Sequence, residues 1–374
     1  MLAFALLLLA YSRCFDFGVD RMLMMTLQPC RLTTSALVCM LLISAAPIEA
    51  HHSFVGFYDQ ERTVEIEGRV KSVSWRNPHG SMTIEVTSAT GETVDWLIET
   101  GSISVLRVRG FDGTVVRVGD RVRVAGEPSL KRDHGLYARN VLLPSGEEVL
   151  LSIGVVPRWS GSDAAGLAQA EFDEDVAAAA RRSASGIFRV WSTVFEDPNS
   201  FPMFKGNYPL SESAREIKAR WDPNSVIAQG CAFKGMPSLM VTPYPIEFID
   251  NGDEILIRFE EEDATRTIRM DPNARKSTRF VSIYGFSRGR WEGTELVVET
   301  DSISAEYFDY EGTPQSPAAR YVERFVPSED GSRLDYRITV IDPDTFTETF
   351  DLTRYFVWRP ELVVNPYDCV IGAP

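Results

Sequence analysis

Short stretches in which apolar and polar residues alternate, each bounded by turn-forming residues, run through most of this chain. Such alternation places every second side chain on one face of a β-strand, so it predicts an all-β fold. In the first half it predicts strands at Arg62–Trp75, Ser81–Ser88, Thr93–Glu99, Arg117–Ala125 and Leu136–Leu143. Gly68 interrupts the first strand, which predicts a bend or a bulge there.

A short helical or irregular piece is predicted at Ser102–Val108, after the third strand. A long strand, a hairpin, a short helix and two further strands follow the order of a small Greek-key barrel. The first half is therefore predicted to be an OB-like barrel.

The second half also reads as strands, at Glu254–Glu260, Arg266–Met270, Glu295–Thr300, Arg320–Val326, Leu334–Ile341 and Thr347–Trp358. Six or more antiparallel strands in about 190 residues fit a larger closed barrel or a sandwich. Gly285–Gly289 is predicted to be a loop before the third of these strands. The acidic run Glu260–Asp263 is predicted to be a solvated hairpin tip.

The chain of 374 residues is long for a single hydrophobic core. Ala, Ser, Gly and acidic residues dominate Ser160–Ser185, where the β pattern stops. We predict a leader at 1–50, an OB-like domain at 51–155, a linker at 156–185 and an antiparallel β domain at 186–374.

The leader contains an apolar run, Ala36–Ala46, which follows Arg31 and precedes Pro47–Ala50. This order is typical of a secretory signal peptide, with cleavage expected after Ala50. A start at Met22, Met24 or Met25 would give a leader of ordinary length; the alternative is an uncleaved signal anchor. We expect a periplasmic or secreted protein with no stable membrane span after cleavage.

Cleavage would remove Cys14, Cys30 and Cys39 and leave Cys231 and Cys369. Two cysteines in an exported chain predict one disulfide. The alternative is a pair of free, buried thiols.

The formal net charge of −15 argues against a nucleic-acid partner, because such partners require a basic surface. A small molecule or a metal ion is the expected partner.

Several motifs fall in residues 51–150: His51–Phe54, Tyr58 and Asp59, Glu67–Val70, Trp75–His79 and Gly119–Val122. In these motifs the chain resembles a family of secreted bacterial proteins of unknown function. The second half, with Pro243–Pro245, Gly289–Thr294 and Leu296–Thr300, looks like another uncharacterised exported β domain. The resemblance implies export and a division into two domains, and it implies no activity.

All four histidines, His51, His52, His79 and His134, lie within the predicted first barrel. If His51 becomes the amino terminus, its α-amine and its imidazole can chelate one ion, and another imidazole completes a nitrogen set that suits Cu(II). The sequence therefore predicts a copper-type site. The alternative is that His51 and His52 form a polar terminus, His79 caps a turn and His134 lies at a solvated loop tip.

In the second half Arg258, Arg337 and Arg354 fall on the polar phase of their strands. If that phase faces inward, these arginines, with Tyr336 and Tyr355, predict a pocket for an anionic or aromatic ligand. If it faces outward, they are ordinary surface residues. A Ser–His triad is excluded within this domain, which contains no histidine. We therefore expect a binding or accessory protein. The alternative is an enzyme or a small-ligand carrier with its site in the C-terminal barrel.

Overall fold

The computed structural model describes residues 57–367 except 109–110, 112, 114, 152–154, 160–162, 165–173, 196, 202, 205 and 223–233. These residues are mostly β, as the alternation predicts, and they form a small OB-like barrel followed by a larger barrel. Among the described helices, none has the length and hydrophobicity to cross a lipid bilayer.

The first barrel contains strands β1 to β5, with the short helix α1 (Ile103–Val108) between β3 and β4. The strands are β1 (Val64–Ser74), β2 (Ser81–Thr87), β3 (Thr93–Glu99), β4 (Arg121–Pro128) and β5 (Gly135–Leu142). Strand β1 pairs with both β2 and β4, and the parallel pairing of β3 with β5 closes the barrel. This connectivity confirms the predicted OB-like order. Two short strands, β6 (Glu147–Leu150) and β7 (Asp163–Ala164), extend the sheet beyond β5.

Glycine is required at two places where strands of the small barrel cross closely. A Cβ atom on Gly68 would lie 2.3 Å from the backbone oxygen of Glu85, and one on Gly126 would lie 1.9 Å from that of Tyr137. Strand β1 changes register against β2 between Val70 and Ser72, after Gly68, whose role is the close approach to β2. Apolar side chains that alternate along the strands, such as Val70, fill the interior.

Within the described residues, nine strands close the second barrel in the order β10 to β16, then β8 and β9. They are β8 (Val190–Ser192), β9 (Ile246–Asp250), β10 (Glu254–Phe259), β11 (Thr265–Arg269), β12 (Phe286–Glu292), β13 (Glu295–Asp301), β14 (Arg320–Pro327), β15 (Arg333–Ile341) and β16 (Phe350–Trp358). Neighbouring strands are antiparallel except β11 and β12, which pair in parallel. Two helices, α2 (Glu174–Ser183) and α3 (Glu212–Lys218), precede β8 and β9 respectively.

The structure differs from the sequence prediction at four strands of the two barrels. Gly285–Gly289 was predicted to be a loop, but Phe286–Glu292 forms β12, because its residues pair along their full length with β13. Strands β8 and β9 were not predicted. Strand β4 begins at Arg121, because Arg117 and Asp120 close a turn before it, with the Arg117 amide donating to the Asp120 carboxylate at 2.8 Å.

Candidate functional site

His79 lies at one end of the small barrel beside a carboxylate that also contacts the start of the described chain. Its Nδ1 is 3.2 Å from Glu99 Oε1 and 3.3 Å from the Thr100 carbonyl oxygen. The other oxygen of Glu99 accepts a hydrogen bond of 2.6 Å from the Tyr58 hydroxyl. Burial, reinforced by the Glu99 charge, raises the pKa of Tyr58, so the phenol remains a donor. The structure thus brings Tyr58, Glu99 and His79 together.

His134 occupies a different environment. Its ring packs edge-on against Trp96, with centroids 5.3 Å apart. Trp96 and Glu99 are three positions apart on β3, and side chains at odd separations point to opposite faces of a strand. His79 and His134 therefore contact opposite faces of β3 and do not form one set. Among the described residues there is no group of three or more His, Cys, Asp or Glu side chains arranged to hold a metal ion.

The remaining predicted metal ligands, His51 and His52, lie outside the described residues, as do Cys231 and Cys369. The N-terminal chelate and the disulfide stay predictions.

The five residues of the predicted ligand pocket occupy three environments. Arg258 lies on the outer face of β10 and pairs with Glu247 at 2.7 Å. Arg337 and Tyr355 lie on the outer face of β15 and β16, whereas Tyr336 and Arg354 point into the barrel. All except Arg258 border an open cavity of about 720 Å³. The five side chains therefore do not all face the interior of the barrel, and they do not form the single inward-facing pocket that the sequence predicted.

Inside the barrel Arg354 is a buried cation that donates hydrogen bonds to neutral oxygen atoms. Its Nη1 donates to the Met240 carbonyl oxygen at 3.0 Å, and its Nη2 donates to the Thr193 hydroxyl at 2.7 Å. Burial lowers the pKa of Arg354 to about 9.

A second buried arginine, Arg266, is paired. Its guanidinium contacts both carboxylate oxygens of Glu323 and donates to the hydroxyls of Ser287 and Thr300, and Tyr336 donates to Glu323 at 2.9 Å. Arg266 was not predicted to be a functional residue, although its side chain shares the inward phase of β11 with Ile268. An arginine on the apolar phase of a strand was the signal for this buried network.

The acidic run Glu260–Asp263 was predicted to be solvated, which is wrong for its first two residues, whereas Asp263 is exposed. Glu260 is fully buried, and Glu261 is 3% exposed. Glu260 accepts hydrogen bonds from the Asn77 side chain at 2.9 Å and from the Asn365 backbone amide at 2.8 Å. Burial raises the pKa of Glu260 despite these hydrogen bonds, which favour its ionised form. Glu260 therefore joins residues from both barrels.

The next two residues form a charged cluster with Lys234. The Lys234 ammonium pairs with Glu261, and the Lys234 backbone amide donates to Glu262 Oε2 at 2.7 Å. Burial lowers the pKa of Lys234, but the charge of Glu261, its hydrogen bond to Lys234 and the neighbouring tyrosines together outweigh burial, so the net shift of the pKa is upward. Burial raises the pKa of Glu262 to about 7. Glu262 can therefore exchange a proton near neutral pH.

The backbone of this turn is unusual, with φ of 63° at Glu262 and 50° at Asp263. Non-glycine residues adopt this left-handed conformation at some energetic cost. Glu261 continues the inward phase of β10, after Ile257 and Phe259. Extending that phase by one more inward position, from Phe259 to Glu261, was the sequence signal that Glu261 is buried.

The chain is similar in sequence to a family of unknown function and in structure to a DNA-binding protein. The mitochondrial single-stranded DNA-binding protein Rim1 of S. cerevisiae is similar over 22% of this chain and 94% of its own, with 17% identity and a TM-score of 0.18. No curated protein matches the sequence significantly. Residues 38–137 match DUF6152, a family of unknown function.

Proposed function

We propose that the processed protein is an exported binding protein that holds a copper-type metal ion at its amino terminus. The proposed ligands are the α-amine and imidazole of His51 and the imidazole of His79. The observation that carries the proposal is the contact of Tyr58 and His79 with the same carboxylate, Glu99.

The length of the chain is compatible with this assignment. His51 precedes Tyr58 by seven positions. An extended chain spans at most about 3.3 to 3.6 Å per residue, so these residues provide up to roughly 25 Å of reach. Tyr58 is anchored beside Glu99, and the amino terminus therefore needs only part of that reach to meet His79.

The partner of His79 also fits a ligand role. Histidine ligands in metalloproteins commonly donate their second ring nitrogen to a carboxylate, which fixes the tautomer and raises the basicity of the ligating nitrogen. Glu99 is placed to do this at Nδ1 of His79. A free amine with a pKa near ~8 and imidazoles near ~6.5 bind a metal readily at neutral pH, and nitrogen ligands of this kind favour Cu(II).

A Cu(II) titration of four proteins tests the proposal: the chain beginning at His51, the same chain with one additional glycine in front, His79→Ala and His134→Ala. We expect the first protein to bind most tightly. The added glycine and His79→Ala should each weaken binding by about tenfold or more. His134→Ala is the matched control, because His134 contacts the opposite face of β3, and its affinity should be unchanged.

Two outcomes contradict the proposal. Equal affinity with and without the added glycine removes the amine from the site. Equal losses in His79→Ala and His134→Ala remove the specific role of His79. Circular dichroism of each variant distinguishes loss of a ligand from loss of the fold.

A second candidate, an enzyme or carrier with its site in the C-terminal barrel, is favoured by the Lys234, Glu261 and Glu262 cluster. Within this cluster Glu262 is half-buried and its pKa is raised to about 7, a shift toward neutrality that is typical of acid–base groups. Chemical-shift titration of Glu262 with small amines and alcohols tests it, with Glu262→Gln as the control. Shifts confined to the wild type would support a site there, whereas identical spectra in both proteins would contradict it.

A further inference from the structure

Most of the residues that border the open cavity of about 720 Å³ lie on the outer face of β14, β15 and β16. Arg324, Arg337 and Thr353 border it from three neighbouring strands. Arg324 is directly opposite Arg337 in the pairing of β14 with β15, and Arg337 is directly opposite Thr353 in the pairing of β15 with β16. Two guanidinium groups and a hydroxyl therefore form one row across the sheet.

The two arginines are a like-charge pair. Side chains directly opposite each other on antiparallel strands have Cβ atoms about 4.5 to 5.5 Å apart, and like charges there are destabilising. Both side chains face solvent, at 37% exposure for Arg324 and 57% for Arg337. The sheet thus holds two cations side by side above a cavity.

The neighbouring carboxylates neutralise this pair unequally. Arg324 Nη1 is 3.0 Å from Glu295 and 3.2 Å from Glu292. Arg337 Nη1 is 4.0 Å from Asp351, at the limit of an ion pair. Asp335, which also borders the cavity, pairs with Arg333 on its own strand. Of the two arginines, Arg337 therefore has the weaker ion pair with a carboxylate of the protein.

We infer that the row of Arg324, Arg337 and Thr353 binds a tetrahedral oxyanion, phosphate or sulfate, either free or as the head group of a small molecule. Guanidinium groups bind such anions through two parallel N–H donors, and a hydroxyl can donate a further hydrogen bond. The anion would relieve the repulsion between the two arginines. Because the whole chain carries a net charge of −15, long-range attraction does not favour anions, and binding depends on these local donors.

Calorimetric titration with inorganic phosphate, sulfate and phenyl phosphate, at constant ionic strength, tests the inference. We expect saturable binding with one site per chain. Arg337→Ala should weaken it by about ten- to hundredfold, the effect of losing a charged hydrogen bond. Tighter binding of phenyl phosphate would assign the anion as a head group, and equal affinities would assign the free ion; either result supports the site.

Arg258→Ala is the matched control, since Arg258 also lies on the outer face of the barrel, at 45% exposure, and pairs with Glu247. Its affinity should equal that of the wild type. Absence of saturable binding by the wild type, or equal losses in Arg258→Ala and Arg337→Ala, would overturn the inference. Arg337→Lys should retain part of the affinity, which separates loss of charge from loss of fold. Copper binding is measured independently, so failure here leaves the metal site unaffected.

Discussion

Replacing Glu262 by glutamine should change how the stability of the protein depends on pH. Glu262 lies in the 3₁₀ turn Glu261–Asp263, with a half-buried side chain that accepts the Lys234 backbone amide at 2.7 Å. Glutamine keeps the shape and the acceptor oxygen but cannot ionise. The substitution therefore removes one titration from the folded state and preserves the hydrogen bond.

The sign follows from the raised pKa. In the unfolded chain the carboxyl has its ordinary value of 4.5, whereas burial raises the pKa of Glu262 to about 7 in the folded protein. Below pH 4.5 both states bind the proton, and its stabilising effect is fully present. As pH rises from 4.5 through 7 the unfolded state loses the proton first, so the wild type loses stability over this interval.

The size of the loss is bounded by the shift. Each pKa unit corresponds to 1.36 kcal/mol, so the full shift would contribute about 3 kcal/mol. Solvent reaches part of the side chain and screens its charge, which reduces the expected effect to about 1 to 2 kcal/mol.

The assay is urea unfolding, followed by tryptophan fluorescence, of the wild type and Glu262→Gln between pH 4.5 and about pH 8. The difference in free energy of unfolding between the two proteins should move by about 1 to 2 kcal/mol in favour of the variant as pH rises. Glu92→Gln, an exposed position in the turn between β2 and β3, is the matched control and should follow the wild type. Parallel pH profiles of wild type and Glu262→Gln would refute the reasoning.

Three further substitutions test the packing. Asn77→Ala should lower the free energy of unfolding by about 1 to 3 kcal/mol in chemical denaturation, because it leaves the buried Glu260 carboxylate without one donor. Glu323→Ala should lower it by about 3 to 5 kcal/mol, since it leaves Arg266 buried without its counter-charge, and replacing both residues by apolar ones should restore much of the loss. Gly126→Ala should abolish the native amide spectrum of the small barrel or lower its melting temperature sharply, because the new Cβ would overlap a backbone oxygen of β5 at 1.9 Å.

Local patterns were sufficient for most strands and for the order of the first barrel. The alternation in Thr93–Glu99 predicted β3 at its observed bounds. The closure of the second barrel was not predictable in the same way, because β8 has only three residues and pairs with β9 and β16, which are distant in sequence. Such a short strand exists through its partners rather than through its own pattern.

The burial within the acidic run Glu260–Asp263 also depends on partners that are distant in sequence, so local patterns could not predict it fully. A row of carboxylates is usually solvated, and that rule predicts Glu260 at the surface. Its burial depends on donors at Asn77 and Asn365, which are separated from it by 183 and 105 positions. Nothing local to the run specifies those partners, although the strand phase indicates that Glu261 points inward.

The loop between β1 and β2 connects the junction of the barrels with the proposed metal site. Asn77 in this loop donates to Glu260 of the second barrel and to the Ser104 hydroxyl at 3.1 Å, and its side-chain oxygen accepts from the Ser104 amide at 3.4 Å. His79 follows two residues later and contacts Glu99. A side chain held by these hydrogen bonds restricts the backbone that carries its neighbours, so the proposed binding of a metal ion by His79 would cost less conformational entropy. The contact with the larger barrel thus restrains the loop that carries His79, and both of the proposed ligand residues, His51 and His79, lie outside that barrel.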